Sequence, residues 1–308
     1  MKRAVIIGGT VLIFLLNTMV FADAEEPVGL KYQLETGGQY RYQMAVRNKT
    51  VQQVREHRIC RNEAWNIEYG MTTLSGSKNK SGILLRVTYN SIHHTFNSPF
   101  QQYSFQLTTD DVELPKVLQP YAALVGTDFN LKLQNRPQLL PQETPQVQNM
   151  NLQQLFTIYS PEAQVAINSF PNLVQNLFPV YAKNPKFHNI GAGWTEQICI
   201  ANGRINPEVS VNYRIIDISG KDIGLEFETP AGWEFNRKDT YKNNRKVVAE
   251  NIVKLAGTAR GSFRINKLTG LPLQGLIKLK LAGELLKLGV RIPVSLETEI
   301  DYRVVDQN

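Results

Sequence analysis

Arg291-Ile292-Pro293-Val294-Ser295-Leu296-Glu297-Thr298-Glu299-Ile300-Asp301-Tyr302-Arg303-Val304 decides the fold class. Ile292, Val294, Leu296, Thr298, Ile300, Tyr302 and Val304 alternate without a break with Arg291, Pro293, Ser295, Glu297, Glu299, Asp301 and Arg303. A period of two is the signature of a strand, because successive side chains point to opposite faces of the sheet. One dry face and one wet face belong to an antiparallel sheet. At about 3.3 Å per residue the segment spans roughly 40 Å, well beyond the ordinary strand. Strands of that length twist and coil, so the sheet is expected to wrap around something.

The same alternation recurs upstream. Ile277, Leu279 and Leu281 alternate with Lys278 and Lys280, and Val209, Val211, Tyr213 and Ile215 with Ser210, Asn212 and Arg214. Leu255, Gly257, Ala259, Gly261, Phe263 and Ile265 form a third such series. Three of its inward positions carry almost no side chain, which permits either a sharp bend of the strand or room for a bulky apolar ligand. Aromatic residues concentrate early in the chain, and Tyr40, Tyr42, Met44 and Val46 share one strand face. That face reads as sheet core or as the wall of a lipophilic cavity with tyrosine hydroxyls at its rim. The candidate lining of such a cavity is Tyr40, Tyr42, Met44, Leu255, Gly257, Ala259 and Phe263.

Helical signals are few. Ser160-Pro161-Glu162 is a good helix start, with an N-cap hydroxyl, proline in the first turn and an early carboxylate. Its apolar run is interrupted at Pro171 and resumes until Pro179, and a shorter piece occupies Val117 to Val125 before Gly126. A Gln/Pro/Asn-rich stretch from Gln134 to Gln154 reads as a surface loop rather than a domain linker. The expectation is one β-rich α+β domain over residues 25–308. It is a large curved antiparallel sheet or open barrel, with a few helices on its concave side.

Residues 1–24 read as a secretory signal peptide: Lys2 and Arg3, an apolar run from Ala4 to Phe21, then Ala22-Asp23-Ala24 as a small-x-small cleavage site. Gly8, Gly9 and Asn17 weaken the alternative of an uncleaved anchor, and the absence of cysteine near the run's end excludes a lipoprotein signal. The mature chain is expected in the periplasm or secreted, with no transmembrane span. It works there without cytosolic nucleotides or reducing thiols.

The chain carries a formal net charge of +7. Such an excess favours anionic partners such as lipid headgroups or acidic glycans. Its densest basic cluster runs through Arg237, Lys238, Lys242, Arg245 and Lys246, and reads as the solvated face or tip of a hairpin. No zinc-finger or RNA-binding signature accompanies the charge, so no nucleic-acid partner is expected. Cys60 and Cys199 both fall on polar strand faces in a chain that export would oxidise. A disulfide between them and two separate thiols both remain open.

Catalytic signatures are missing. His93 and His94 are adjacent in a strand and so face opposite ways, while His57 and His188 stand alone. No H-E-x-x-H, no closely spaced Cys/His set and no G-x-S-x-G elbow is present. Ser77-Lys78-Asn79-Lys80 fits S-x-x-K without its companion elements, and Asp110, Asp111 and Glu113 lack the spacing of a calcium loop. Neither a catalytic residue nor a metal or cofactor site is expected.

Tyr32-x-Leu34-x-x-x-Gly38-x-Tyr40-x-Tyr42, Leu124-x-Gly126-x-x-Phe129-x-Leu131-x-Leu133, Gly191-x-Gly193-Trp194 and Thr269-Gly270-Leu271-Pro272 follow one another along the chain. In that order they resemble a bacterial exported family known only as a domain of unknown function, which implies a location but no activity. Asn266 to Leu273 is also similar to hairpins of periplasmic lipoprotein carriers and related half-barrels, in which a curved sheet covers helices and an apolar cavity. The leading expectation is a non-catalytic binding protein for a lipophilic ligand or lipidated partner. The alternative is a structural or protein-interaction domain of the cell envelope with a filled core. A cavity lined by the Tyr40 and Leu255 faces would favour the first, a packed interior with an exposed apolar patch the second, and a buried ionisable cluster in a cleft would revive an enzyme.

Overall fold

The computed structural model describes residues 28–77, 82–109, 124–126, 128–134, 137–139, 172–181, 187–201, 207–243, 246–287 and 290–307. The expected signal peptide, the bodies of both expected helices and most of the Gln/Pro-rich stretch lie outside them. In chain order the strands are β1 (Val28–Gly29), β2 (Gln39–Val54), β3 (His57–Ser75), β4 (Ile83–Asn97) and β5 (Gln102–Thr108). There follow β6 (Asp128–Leu133), β7 (Pro137–Leu139), β8 (Phe187–His188), β9 (Gly193–Cys199) and β10 (Glu208–Ile218). The last five are β11 (Asp222–Glu228), β12 (Glu234–Asn243), β13 (Lys246–Asn266), β14 (Pro272–Lys287) and β15 (Val290–Gln307).

β1 pairs with β8, and the other thirteen strands form one antiparallel sheet. Its main path runs β7-β6-β4-β3-β2-β15-β14-β13-β11-β10-β9, with β5 beside β4 and β12 beside β13. The end strands β7 and β9 do not pair with each other, so the sheet is open rather than a closed barrel. The beginning of the expected Gln/Pro-rich loop is not irregular. Pro137–Leu139 pairs with β6 at the sheet's edge, where a residue without an N–H is tolerated.

The strand that decides the fold class lies at the centre, between β2 and β14. Ile300 pairs with Ile277 on one side and Val46 on the other. Val46 pairs in turn with Trp65, and Trp65 with His94. This rung is buried throughout. Alternation on each strand therefore sums to one continuous apolar face.

That face is covered from within the chain. Leu30, Tyr32, Leu34, Leu173, Val174, Leu177, Phe178, Val180 and Tyr181 belong to the same buried cluster as the inward residues of the strands. Helix on this side is reduced, among the described residues, to a 3-10 turn at Val174–Leu177 behind Asn172 and Leu173. Hydrogen bonds from buried tyrosines fix the segment in place. Tyr302 Oη donates to Leu177 O at 2.8 Å and Tyr32 Oη to Pro179 O at 2.5 Å. Tyr213 Oη accepts from Val180 N at 3.3 Å, and Trp194 Nε1 donates to Val180 O at 3.0 Å. Asn176 makes a reciprocal pair with the backbone of Ala201, donating to its carbonyl at 2.7 Å and accepting from its N–H at 3.0 Å.

The Asn266-to-Leu273 hairpin closes one end. Asn266 Oδ1 accepts from the backbone of Leu268 and Thr269, and Thr269 O accepts from Gln33 N. Gly270 has φ +71°, and a Cβ there would stand 2.2 Å from Lys31 O. Both the left-handed backbone and the close approach require glycine at this point.

Candidate functional site

The surface expected to line an apolar cavity is packed. Tyr42, Met44, Leu255, Ala259 and Phe263 are buried in the core, and Tyr40 is half-buried against it. Tyr42 Oη donates to Pro272 O at 2.9 Å, while Met44 Sδ accepts from Tyr69 Oη at 4.0 Å. A Cβ at Gly257 would lie 2.0 Å from Lys280 O, and one at Gly261 only 2.3 Å from the Phe227 ring. The glycines of β13 thus admit a neighbouring strand and an aromatic ring at close range. Among the described residues, a hollow of about 200 Å³ lies beside this face, between Gln175–Val180, Ile198–Ile200 and Phe263. Small-molecule sites run from about 300 to 1,000 Å³.

Cys199 opens onto that hollow. Burial, and secondarily the carboxylate of Glu208, push its thiol up to about 11. Cys60 lies on β3, with β2, β15, β14, β13, β11 and β10 between it and Cys199 on β9. Both cysteines are free, so the bridge left open by the sequence is not made. Strands spaced at about 4.8 Å put them some 30 Å apart along the sheet, far beyond the reach of a disulfide.

His93 and His94 do face opposite ways. His94 is buried on the apolar face, with Nε2 at 3.1 Å from Glu63 Oε1, and its ring is stacked on Trp65. Tyr103 and Phe105 meet the imidazole edge-on. One step along the sheet, Thr298 Oγ1 donates to Asn48 Oδ1 at 2.8 Å. The sequence reading missed Glu63. Its signal was an acidic residue in register with Trp65 and Ile67, at an inward position of the alternation.

A roomier hollow lies on the other, polar face. A groove of about 810 Å³ crosses β14, β15, β2, β3, β4 and β5, with Arg260 of β13 at one side. On each strand it is bounded by the two polar-face residues: Arg47 and Lys49, Asn62 and Ala64, Thr95 and Asn97, Lys278 and Lys280, Glu297 and Glu299. A second hollow of about 430 Å³ adjoins it at Ala45, Asn66, His93, Gln106 and Asp301. Side-chain length explains the shape. Ala64, Thr95 and Ser104 are neighbours across β3, β4 and β5, while the long Arg47, Lys278 and Lys280 rise from β2 and β14. Twist makes such a sheet saddle-shaped, which hollows the polar face along one diagonal.

The groove is electrostatically positive. Glu299 is shared between Arg47 and Lys278, each at 3.1 Å. Lys49 and Lys280 flank Glu297 in register without bonding to it. Lys49, Lys280 and Arg260 have no carboxylate partner among the described residues. Where the two hollows meet, His93 Nε2 lies 3.2 Å from Ser104 Oγ. β4 is paired on both sides at His93, by β3 and β5. Its backbone amides there serve the ladders and form no oxyanion-binding pair of the kind acyl transfer requires.

No family model and no curated protein matches the chain. Among solved structures it is similar to lipovitellin, in a structure of lipid–protein interactions in that protein. The likeness has 9% identity and a TM-score of 0.48, over 89% of this chain and 26% of the lipovitellin chain. The chain thus spans about a quarter of that neighbour's length. A crystal structure of the botulinum neurotoxin serotype C1 binding domain aligns at 8% identity and a TM-score of 0.14 over 88% of this chain. Among the described residues no helix is long and apolar enough to cross a membrane, and no group of three metal-ligating side chains occurs.

Proposed function

We propose that the protein is a non-catalytic binding protein of the cell envelope, and that the polar-face groove holds an elongated anionic ligand such as an acidic glycan segment. The observation that carries this reading is the groove itself: about 810 Å³, with Lys49, Lys280 and Arg260 along it and without a carboxylate partner among the described residues. Its volume suits a ligand of several sugar rings. Asn62, Thr95, Asn97, Gln102 and Ser104 add neutral hydrogen-bonding groups to the cations. The His93–Ser104 contact supplies a hydroxyl beside an imidazole, but the pair has no acid to orient the ring among the described residues. The packing of Tyr42, Met44 and Phe263 favours this reading over the lipophilic ligand expected from strand alternation.

The test is fluorescence anisotropy with a labelled oligogalacturonate, against its neutral methyl ester as control. Wild-type protein should bind the acidic oligomer saturably and lose it as salt rises. Reversing Lys49, Lys280 and Arg260 to glutamate should weaken binding roughly ten- to a hundredfold, at about 0.5–1 kcal/mol per exposed charge. Equal binding of the neutral ester, or an unchanged affinity in the triple variant, would overturn the reading. Native mass spectrometry that finds a stoichiometric lipid on the purified protein would return the lipophilic reading to first place.

A further inference from the structure

The groove of the polar face changes character along its length. It runs across the strands in the order β13, β14, β15, β2, β3, β4, β5, and each strand crossed is a step of about 4.8 Å. From β13 to β2, a span of about 14 Å, its walls are charged. Arg260, Lys278, Lys280, Arg47 and Lys49 stand there against Glu297 and Glu299. Glu228 of β11 is in register with Arg260 but makes no ion pair with it, and when it is counted in, cations still outnumber carboxylates. From β3 to β5, a span of about 10 Å, the walls are Asn62, Ala64, Thr95, Asn97, Gln102 and Ser104, and none of them is charged. Asn62, Asn97 and Gln102 are exposed, and their side chains make no hydrogen bond among the described residues. Glu63, whose backbone reaches the floor of this half, turns its carboxylate to the buried face, where His94 meets it at 3.1 Å.

We infer that the groove takes a glycan charged at one end only, with its anionic groups over β13 to β2 and a neutral, hydroxyl-bearing run over β3 to β5. This rests on the binding role proposed above and adds to it the distribution of charge on the ligand. Sugar hydroxyls both donate and accept hydrogen bonds, and so do the side chains of Asn62, Thr95, Asn97, Gln102 and Ser104 together. A carboxylate over that half would give up hydration with no cation to receive it. The same carboxylate over Lys49 and Lys280 meets two ammonium groups that no acidic side chain engages among the described residues. Charge on the first half of the ligand therefore supplies affinity, and charge on the second half adds none.

The experiment is fluorescence anisotropy with four labelled oligogalacturonates of one length: wholly acidic, wholly methyl-esterified, and two half-esterified forms whose free carboxylates lie on the reducing or the non-reducing half. The better of the two half-acidic oligomers should bind within about threefold of the wholly acidic one, while the wholly esterified one binds about tenfold or more weakly. Asn62→Ala/Asn97→Ala should weaken the half-acidic oligomer by about tenfold. Placing cations in the neutral half, by Asn97→Lys/Gln102→Lys, should make the wholly acidic oligomer preferred over the half-acidic one by roughly five- to thirtyfold. Retained binding of the half-acidic oligomer in that variant shows that the fold is intact. A wild-type protein that binds the wholly acidic oligomer more than about tenfold tighter than both half-acidic forms would overturn the inference and leave the groove as an anion site. A lysine variant with unchanged preference would overturn it in the same way. Failure of every acidic oligomer to bind would remove the groove reading, and this inference with it.

Discussion

Raising the pH should unfold this protein abruptly, because at least seven of its twelve tyrosines, all among the described residues, are buried. Tyr32, Tyr42, Tyr69, Tyr89, Tyr181, Tyr213 and Tyr302 all have their ionisation pushed far above the ordinary tyrosine range, in every case chiefly by burial. In the unfolded chain each ionises near pH ~10. A group whose folded pKa is raised contributes its full stabilisation below the unfolded value, and that contribution falls as pH climbs past it. One tyrosine held neutral costs about 1.4 kcal/mol at pH ~11, so seven cost about 10 kcal/mol, comparable with the whole stability of a typical domain. Ultraviolet difference absorbance of tyrosinate, followed together with far-ultraviolet circular dichroism, reads the effect directly. At most five tyrosines should ionise while the sheet is intact, and the other seven should appear in one step with loss of structure near pH ~11. Six or more tyrosinates in a chain with native circular dichroism would refute the reasoning. So would a sheet that survives well above that pH.

Three further outcomes follow from the packing. Asn176→Ala leaves the buried N–H and C=O of Ala201 without their partner, and should cost about 2–4 kcal/mol in urea denaturation. A change below 0.5 kcal/mol, within the range of ordinary surface substitutions at about ±0.5 kcal/mol, would mean that the 172–181 segment is not held as described. Gly283→Ala places a Cβ 2.1 Å from Lys254 O, whereas Gly220→Ala meets nothing within 4 Å. The first should lower stability by about 1–3 kcal/mol or more and the second should be nearly neutral, so equal melting temperatures would contradict the β13–β14 approach. Finally, protein denatured without reductant should show two titratable thiols, and in the folded state Cys199, with its thiol pushed up to about 11, should resist maleimide at neutral pH. Isolation of an intact Cys60–Cys199 disulfide would contradict the strand order.

The strands were legible because each carries its own record of which side is wet. Ile292 to Val304 alternates in the sequence, and Leu296, Thr298, Ile300 and Tyr302 are buried as that pattern requires. What covers the dry side was not legible. Tyr32, Leu177 and Tyr181 lie in short segments without a period, and their place is set by tyrosine hydroxyls reaching partners up to 147 residues away. The groove escaped notice for a related reason. Ala64, Thr95 and Ser104 are unremarkable on their own strands and form a floor only once β3, β4 and β5 are aligned in register. Glu63 and His94 likewise become a pair only across that alignment.

The strand order also dictates a timetable. β2 is hydrogen-bonded along one side to β15, and the ion pair between Arg47 and Glu299 joins residues 252 positions apart. At a synthesis rate of roughly 5–20 residues per second, β2 waits on the order of 10–50 s for the strand that completes it. Through that interval the hairpin of β2 and β3 presents an unpaired strand edge and an uncovered apolar face, the condition under which nascent β-sheets associate with one another. A chain built in this order is open to self-association while it is being made, and its yield should fall with fast synthesis more than its final stability would suggest.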